Sequence, residues 1–203
     1  SCLVGSEMCI RDSLIVHHDR RALYLYKNNK GKGFIRQETP LNGTEPFLGL
    51  SRGSVHFADM DNDGWLDIVS SGYGPGEGNL RIYWNNGDGT FSENQQYLYG
   101  SNDSSCSLCD LDADGYMDIV VTGFSSNKGS GAKSFYIYRN CGGRNFEMLN
   151  DLFCGFEGVD GATPSFGDVN HDGLPDILIG GHGEKHEITT WLYMNLSLIH
   201  ISE

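Results

Sequence analysis

Positive charge is scarce in this chain of 203 residues: 14 Lys and Arg stand against 27 Asp and Glu, a formal net charge of −13. Nucleic acids and anionic membrane surfaces bind through basic patches, so neither is an expected partner. No run is long and apolar enough to span a bilayer as a helix, so direct membrane insertion is not expected of this stretch. Catalytic constellations are also missing. Gly49–Gly53 fits Gly-x-Ser-x-Gly, but that elbow needs a strand on one side and a helix on the other, and this stretch leads into an apolar strand pattern at 54–58. His17-His18 and His182-Gly-Glu-Lys-His186 are not zinc-protease motifs, the latter being interrupted by Gly183, and read as solvated loop residues. Cys106 and Cys109 have the spacing of half a zinc site with no second pair at a suitable distance. Residues three apart on a strand face opposite ways, so these two do not bridge each other. The chain is therefore not expected to be an enzyme.

The two ends resemble translated sequencing adapter. The adapter sequence GAG ATG TGT ATA AGA GAC, read in one frame, gives the residues Glu7–Asp12, and its reverse complement, read as CTG TCT CTT ATA CAC ATC, gives Leu196–Ile201. Residues 1–13 and 196–203 are therefore set aside as not native, which leaves 14–195 as one stretch of a longer gene. A leader, an anchor or further domains would lie outside it. Removing Glu7, Asp12, Glu203 and Arg11 changes the charge to −11. Cys2 and Cys9 go with the adapter, and Cys106, Cys109, Cys141 and Cys154 remain.

What is abundant is glycine, 28 residues, and tyrosine, 10, with few runs suited to helix. That composition favours many short strands joined by tight turns. Internal repetition dominates the rest. Phe57–Ile68, Leu108–Ile119 and Phe166–Ile177 align without gaps, and each leads into a short β-rich run ending in glycine. A second motif, centred on Tyr26, Tyr83, Tyr138 and Tyr193, recurs at intervals of 57, 55 and 55 residues. Asn85–Gly89 suits a hairpin because Asn and Gly tolerate positive φ. Phe34, Phe91 and Phe146 recur after the hairpin and read as core residues, and Cys109 aligns with Ala58 and Gly167 as a small buried residue. Four short strands per period of about 50 residues is the signature of propeller blades. The expected fold is all-β, a partial β-propeller of four-stranded antiparallel blades at about 14–40, 50–98, 104–150 and 162–195.

The acidity is local: 11 Asp lie in three loops of the pattern Asp-x-Asp/Asn-x-Asp-Gly-x-x-Asp. Ca²⁺ takes six to eight oxygens at about 2.3–2.6 Å. Alternate carboxylates in a tight loop turn inward onto one ion, the glycine permits the bend, one backbone carbonyl adds a donor, and a last Asp closes the shell. The expected ligands are Asp59, Asp61, Asp63, the Trp65 carbonyl and Asp67 in the first loop. The second offers Asp110, Asp112, Asp114, the Tyr116 carbonyl and Asp118, and the third Asp168, Asn170, Asp172, the Leu174 carbonyl and Asp176. An EF-hand would need Glu at loop position 12, where Ser70, Val121 and Ile179 stand instead. About three structural Ca²⁺ ions are therefore expected, with no open position for a hydrolytic water. Asn42 and Asn102 begin glycosylation-type triplets, which are frequent by chance.

These loops resemble the FG-GAP family, also described as VCBS repeats, known from integrin α-subunit propellers and many bacterial surface proteins. Gly161–Pro164 followed by Phe166-Gly167 is similar to the family's naming motif, with Thr163 inserted. Asn170 departs from the usual second Asp but remains an oxygen donor. The resemblance implies a propeller with calcium between adjacent strands and a binding, adhesion or scaffold role in a secreted or cell-surface protein. The ligand would be a protein or a glycan. Two alternatives share the fold: an accessory propeller of a secreted polysaccharide-active enzyme, or a lectin-like propeller using exposed aromatics such as Tyr73, Trp84 or Tyr97.

Overall fold

The computed structural model describes residues 13–17, 22–30, 32–74, 80–125, 132–149, 158–183 and 187–195. Cys154, His18 and His186 lie outside them, as do 1–12 and 196–203. No helix occurs among the described residues; all regular structure is strand. The strands fall into four antiparallel meanders. The first sheet holds β1 (Ser13–His17), β2 (Ala22–Asn28) and β3 (Phe34–Gln37). β4 (Ser51–Ala58), β5 (Asp67–Tyr73), β6 (Leu80–Asn85) and β7 (Phe91–Glu93) form the second. β8 (Ser101–Cys109), β9 (Asp118–Ser125), β10 (Lys133–Asn140) and β11 (Phe146–Met148) form the third. The fourth holds β12 (Ser165–Gly167), β13 (Asp176–His182) and β14 (Ile188–Tyr193). In the order of strands along each sheet, sequence neighbours are always spatial neighbours, which is the all-β blade topology the repeats predict.

Sheets stack face to face, and side-chain alternation decides which core each residue enters. Ile68 and Tyr83 turn toward the first sheet, where Leu23, Leu25, Phe47 and Phe91 complete a core. Their neighbours Val69, Ile82 and Trp84 point the other way, against Ile119, Tyr136, Tyr138 and Phe146 of the third sheet. Val120, Phe135 and Ile137 then meet Ile177 and Ile179 of the fourth. Middle strands such as β5 and β10 are therefore buried on both faces and read as continuous β-rich runs. Cys106 enters one core and Cys109 packs against the next, so the two thiols face opposite ways, as strand geometry requires.

Some core expectations fail for one physical reason. Phe91 and Phe146 are buried by the preceding sheet, but Phe34 is 53% exposed because no earlier sheet covers it among the described residues. Ala58 and Cys109 are half-buried against the following sheet, whereas Gly167 on the fourth sheet is exposed. Trp84 is buried in the second core, stacked on Phe146 at 6.3 Å between ring centroids, so it cannot serve as a sugar platform. Ser51 of the hydrolase-like stretch is buried within β4 and donates to the Tyr73 carbonyl, with no helix following it. His182 ends β13 rather than lying in a loop, and its Nδ1 is 3.6 Å from Asp160.

β4 and β8 carry a bulge at the same place, between Ser51 and Ser54 and between Asn102 and Ser105. Arg52 and Asp103 take positive φ there, 52° and 47°, and their side chains pair at 3.4 Å. Gly53 is required beside the first bulge, since a Cβ would stand 1.7 Å from the Ser71 carbonyl oxygen.

Candidate metal centres

Each loop joins the first strand of a sheet to the second, and all three fold alike. The sixth residue, Gly64, Gly115 or Gly173, has φ of 91°, 92° and 92°, which favours glycine. The fourth, Asn62, Ala113 or His171, is also left-handed, at 59°, 59° and 61°. These two inversions wrap the chain around its own carboxylates. Asp59 accepts from the Asp63 and Gly64 amides at 3.0 and 2.9 Å. Asp110 accepts likewise from Asp114 and Gly115, and Asp168 from Asp172 and Gly173. Asp63, Asp114 and Asp172 each cap the amide two residues on, at 2.8, 2.8 and 2.9 Å.

The ninth-position carboxylate is buried at the base of each loop and clamps two strands. Asp67 accepts from Met60 N at 2.9 Å and from Asn85 N at 2.8 Å. Asp118 bonds Leu111 N and Asn140 N, both at 2.8 Å. Asp176 bonds Val169 N at 2.9 Å and Asn195 N at 2.8 Å. Burial opposes ionisation in the first two. Desolvation, outweighing the amide bonds and helped by neighbouring Asp charges, pushes Asp67 up to about 6 and Asp118 up to about 7. Asp112 is raised as well, by desolvation and then by the Asp114 charge.

Two of the loops bring three carboxylates to a point. Ligand oxygens of Asp59, Asp61 and Asp67 all lie within 4.8 Å of one another, as do those of Asp110, Asp112 and Asp118. Oxygens about 2.3–2.6 Å from one ion are at most about 5 Å apart, so both sets fit the shell of a hard dication. Asp63 and Asp114 stand outside these triads among the described residues. In the third loop the second carboxylate of this trio is replaced by the amide of Asn170, leaving Asp168 and Asp176 as its acidic members. Asn170 donates from Nδ2 to Asp172 Oδ2 at 2.8 Å, and Asp168, Asn170 and Asp172 are exposed.

Several supporting residues were not singled out from sequence. Asn85, Asn140 and Asn195 close the recurring tyrosine motif and donate to the carbonyls of Leu66, Met117 and Pro175, at 3.0, 3.2 and 3.1 Å. Asn140 also reaches Met60 O of the preceding loop at 2.7 Å, and Asn195 reaches Leu111 O at 2.6 Å. Their recurrence at the repeat period was the available signal. Trp65 and Tyr116 lie over Gly87 and Gly142, where an added Cβ would stand 2.9 and 3.1 Å from the rings.

Comparison with known proteins agrees with this architecture. A profile of the FG-GAP-like repeat matches residues 10–70, 59–121 and 110–179, the second and third matches each running from one loop through the next. Integrin alpha-3 of Mus musculus and of Cricetulus griseus are each 26% identical to the chain over 185 residues. The aligned part is 81% of this chain and 17% of each relative. With three successive matches laid over the strand–loop–strand units, the chain belongs to the FG-GAP-like repeat family.

Proposed function

We propose that the chain is a calcium-stiffened section of an adhesion-type β-propeller, exposed outside the cell, that presents a surface to a protein or glycan ligand. The observation that carries this reading is the pair of converged carboxylate triads, Asp59/Asp61/Asp67 and Asp110/Asp112/Asp118, at the same hinge of successive sheets. Three acidic side chains drawn together repel one another, and a dication is the natural counter-charge. When bound, Ca²⁺ supplies positive charge and oxygen coordination that fix the turn between the first two strands. Asp63 and Asp114 and the carbonyls of Trp65 and Tyr116 complete the donor sets in this reading. The third loop, with Asp168, Asn170, Asp172, the Leu174 carbonyl and Asp176, holds a third and weaker ion. Asn170 brings an amide in place of a carboxylate, and its loop is the most open.

The role is binding and scaffolding rather than catalysis. The family's repeats are typically non-catalytic, and the integrin alpha relatives are cell-surface proteins. No helix is long and apolar enough to cross a membrane among the described residues. A glycan ligand is favoured specifically by Tyr97, which is 56% exposed and packed edge-on against Tyr99 at 5.3 Å.

Calorimetric titration of the chain with calcium, followed by melting with and without chelator, tests the proposal. Binding of about three ions and a fall in Tm on chelation are expected. A site held at ten times its Kd adds about 1.4 kcal/mol. No heat and no Tm change at millimolar calcium would remove the calcium reading.

A further inference from the structure

Loops one and two are built alike, yet the first already has a cation standing in it. Arg144, in the turn between β10 and β11 of the third sheet, donates from Nε to Asp61 Oδ2 at 2.7 Å. Its Nη2 lies 3.9 Å from Asp63 Oδ2. The guanidinium carbon is 5.0 Å from the centroid of the Trp84 ring, so the group is held from a second side. Arg144 takes φ of 65° behind Gly142 and Gly143, both also at positive φ, which aims the side chain back across the junction. Two further bonds cross at the same place: Asn62 Nδ2 to Gly115 O at 3.0 Å and Asn140 Nδ2 to Met60 O at 2.7 Å. Among the described residues the second loop has no such visitor; the turn of the fourth sheet that matches 141–145 falls at 196–200, outside them. Among the described residues no ion pair reaches Asp110, Asp112 or Asp114, and Arg139 pairs with Glu147 instead.

We infer that Arg144 is a resident counter-charge of the first loop, a latch between the second and third sheets that must leave Asp61 and Asp63 when that loop takes calcium. The inference rests on the calcium reading of the loops and adds a regulation to it. A guanidinium and a dication compete for the same carboxylate lone pairs, and neither stabilises the other at contact distance. Asp61 has its Oδ1 facing the Asp63 amide at 3.3 Å and its Oδ2 on Arg144, so Arg144 occupies the oxygen that remains. Coupling is reciprocal: whatever affinity the latch takes from the ion, the ion takes from the latch. At low calcium the 141–145 turn is fastened to the first loop. At high calcium Arg144 is released, and with it a positive charge at the loop end of the junction.

Terbium, a luminescent stand-in for calcium, reports on the first loop in the full chain because Trp65 and Trp84 flank it. Trp191 packs in the cluster that holds Leu111 of the second loop, so the part of the emission that depends on Asp59 is the readout. Excitation where tryptophan alone absorbs should give emission that Asp59→Asn removes and that added calcium displaces. Arg144→Gln should tighten terbium and calcium at this loop about tenfold, within the usual range of coupling between sites. Arg144→Lys, which keeps the charge and the stem, should fall between the two. Unchanged or weaker binding in Arg144→Gln, with the Asp59-dependent emission intact, overturns the latch and leaves calcium binding standing. Emission absent from both proteins, or indifferent to Asp59→Asn, removes the calcium reading of this loop and the latch with it.

Discussion

The third and fourth sheets read almost the same in sequence and differ sharply in structure. Val120 is fully buried, while Leu178, at the matching place in the register, is 47% exposed. Ile137 is 3% exposed and its counterpart Leu192 49%. Backbone pairing and the buried Asp clamp are preserved in both: Asp118 holds Leu111 N and Asn140 N, and Asp176 holds Val169 N and Asn195 N. A blade is thus specified as a two-sided object by its own sequence, but each side becomes a core only when another sheet lies on it. The first sheet shows the opposite side of the same rule in exposed Phe34 and Ile35.

The strongest way to break the comparison is charge at the matched positions. Val120→Asp should cost about 4 kcal/mol or more, an unpaired carboxylate having been forced between two sheets. Leu178→Asp should change stability by about 0.5 kcal/mol or less, as surface substitutions do. Equal losses in urea melts would show that the fourth sheet's outer face is covered in solution.

Acidity gives the next largest effect. Folding raises Asp118 from 3.8 to about 7, so the folded chain holds that proton more tightly than the unfolded chain. Its contribution to calcium-free stability is therefore full below about pH 4 and is lost as pH rises through about 7, on the order of 4 kcal/mol at most. Asp67, raised to about 6, acts in the same direction over a narrower window. Melting across pH in calcium-free buffer should show the decline, and Asp118→Asn should flatten it. In millimolar calcium the trend should reverse, because the ion needs the ionised carboxylate and expels its proton.

A smaller difference is expected at the asparagines that cross between sheets. Asn140→Ala should cost about 2 kcal/mol by leaving the buried Met60 carbonyl without its donor. Asn195→Ala, at the more open fourth sheet, should cost about half as much, and chemical denaturation of the two variants compares them. Smallest is the surface pair Arg139–Glu147 at 3.0 Å, where Glu147→Gln should move stability by less than about 0.5 kcal/mol. A larger shift would mean that Arg139 is coupled to the second loop.

Much of this was legible from residues. The short β-rich run expected after each loop is, in the second sheet, a strand from Asp67 to Tyr73. Hairpin glycines and the sixth-position glycines marked turns because glycine takes left-handed backbone without strain. The bulges were not legible: Arg52 and Asp103 take positive φ without being glycine, so β4 starts at Ser51 rather than at 54. Trp84 could not be told from an exposed aromatic, since alternation along a strand says which neighbours share a face, not what covers it. Arg144 gave no signal, because the residue it pairs with lies 83 positions away in another sheet.

By itself, the sequence determined the repeat, the strand order within each sheet and the carboxylates placed on each loop. These depend on local periodicity and turn chemistry, which act over a few residues. Only the tertiary structure decided which strand faces became cores, which aromatics stayed in water and that the first loop acquired an arginine from the next sheet. Those outcomes depend on contacts between sheets, which no single repeat encodes.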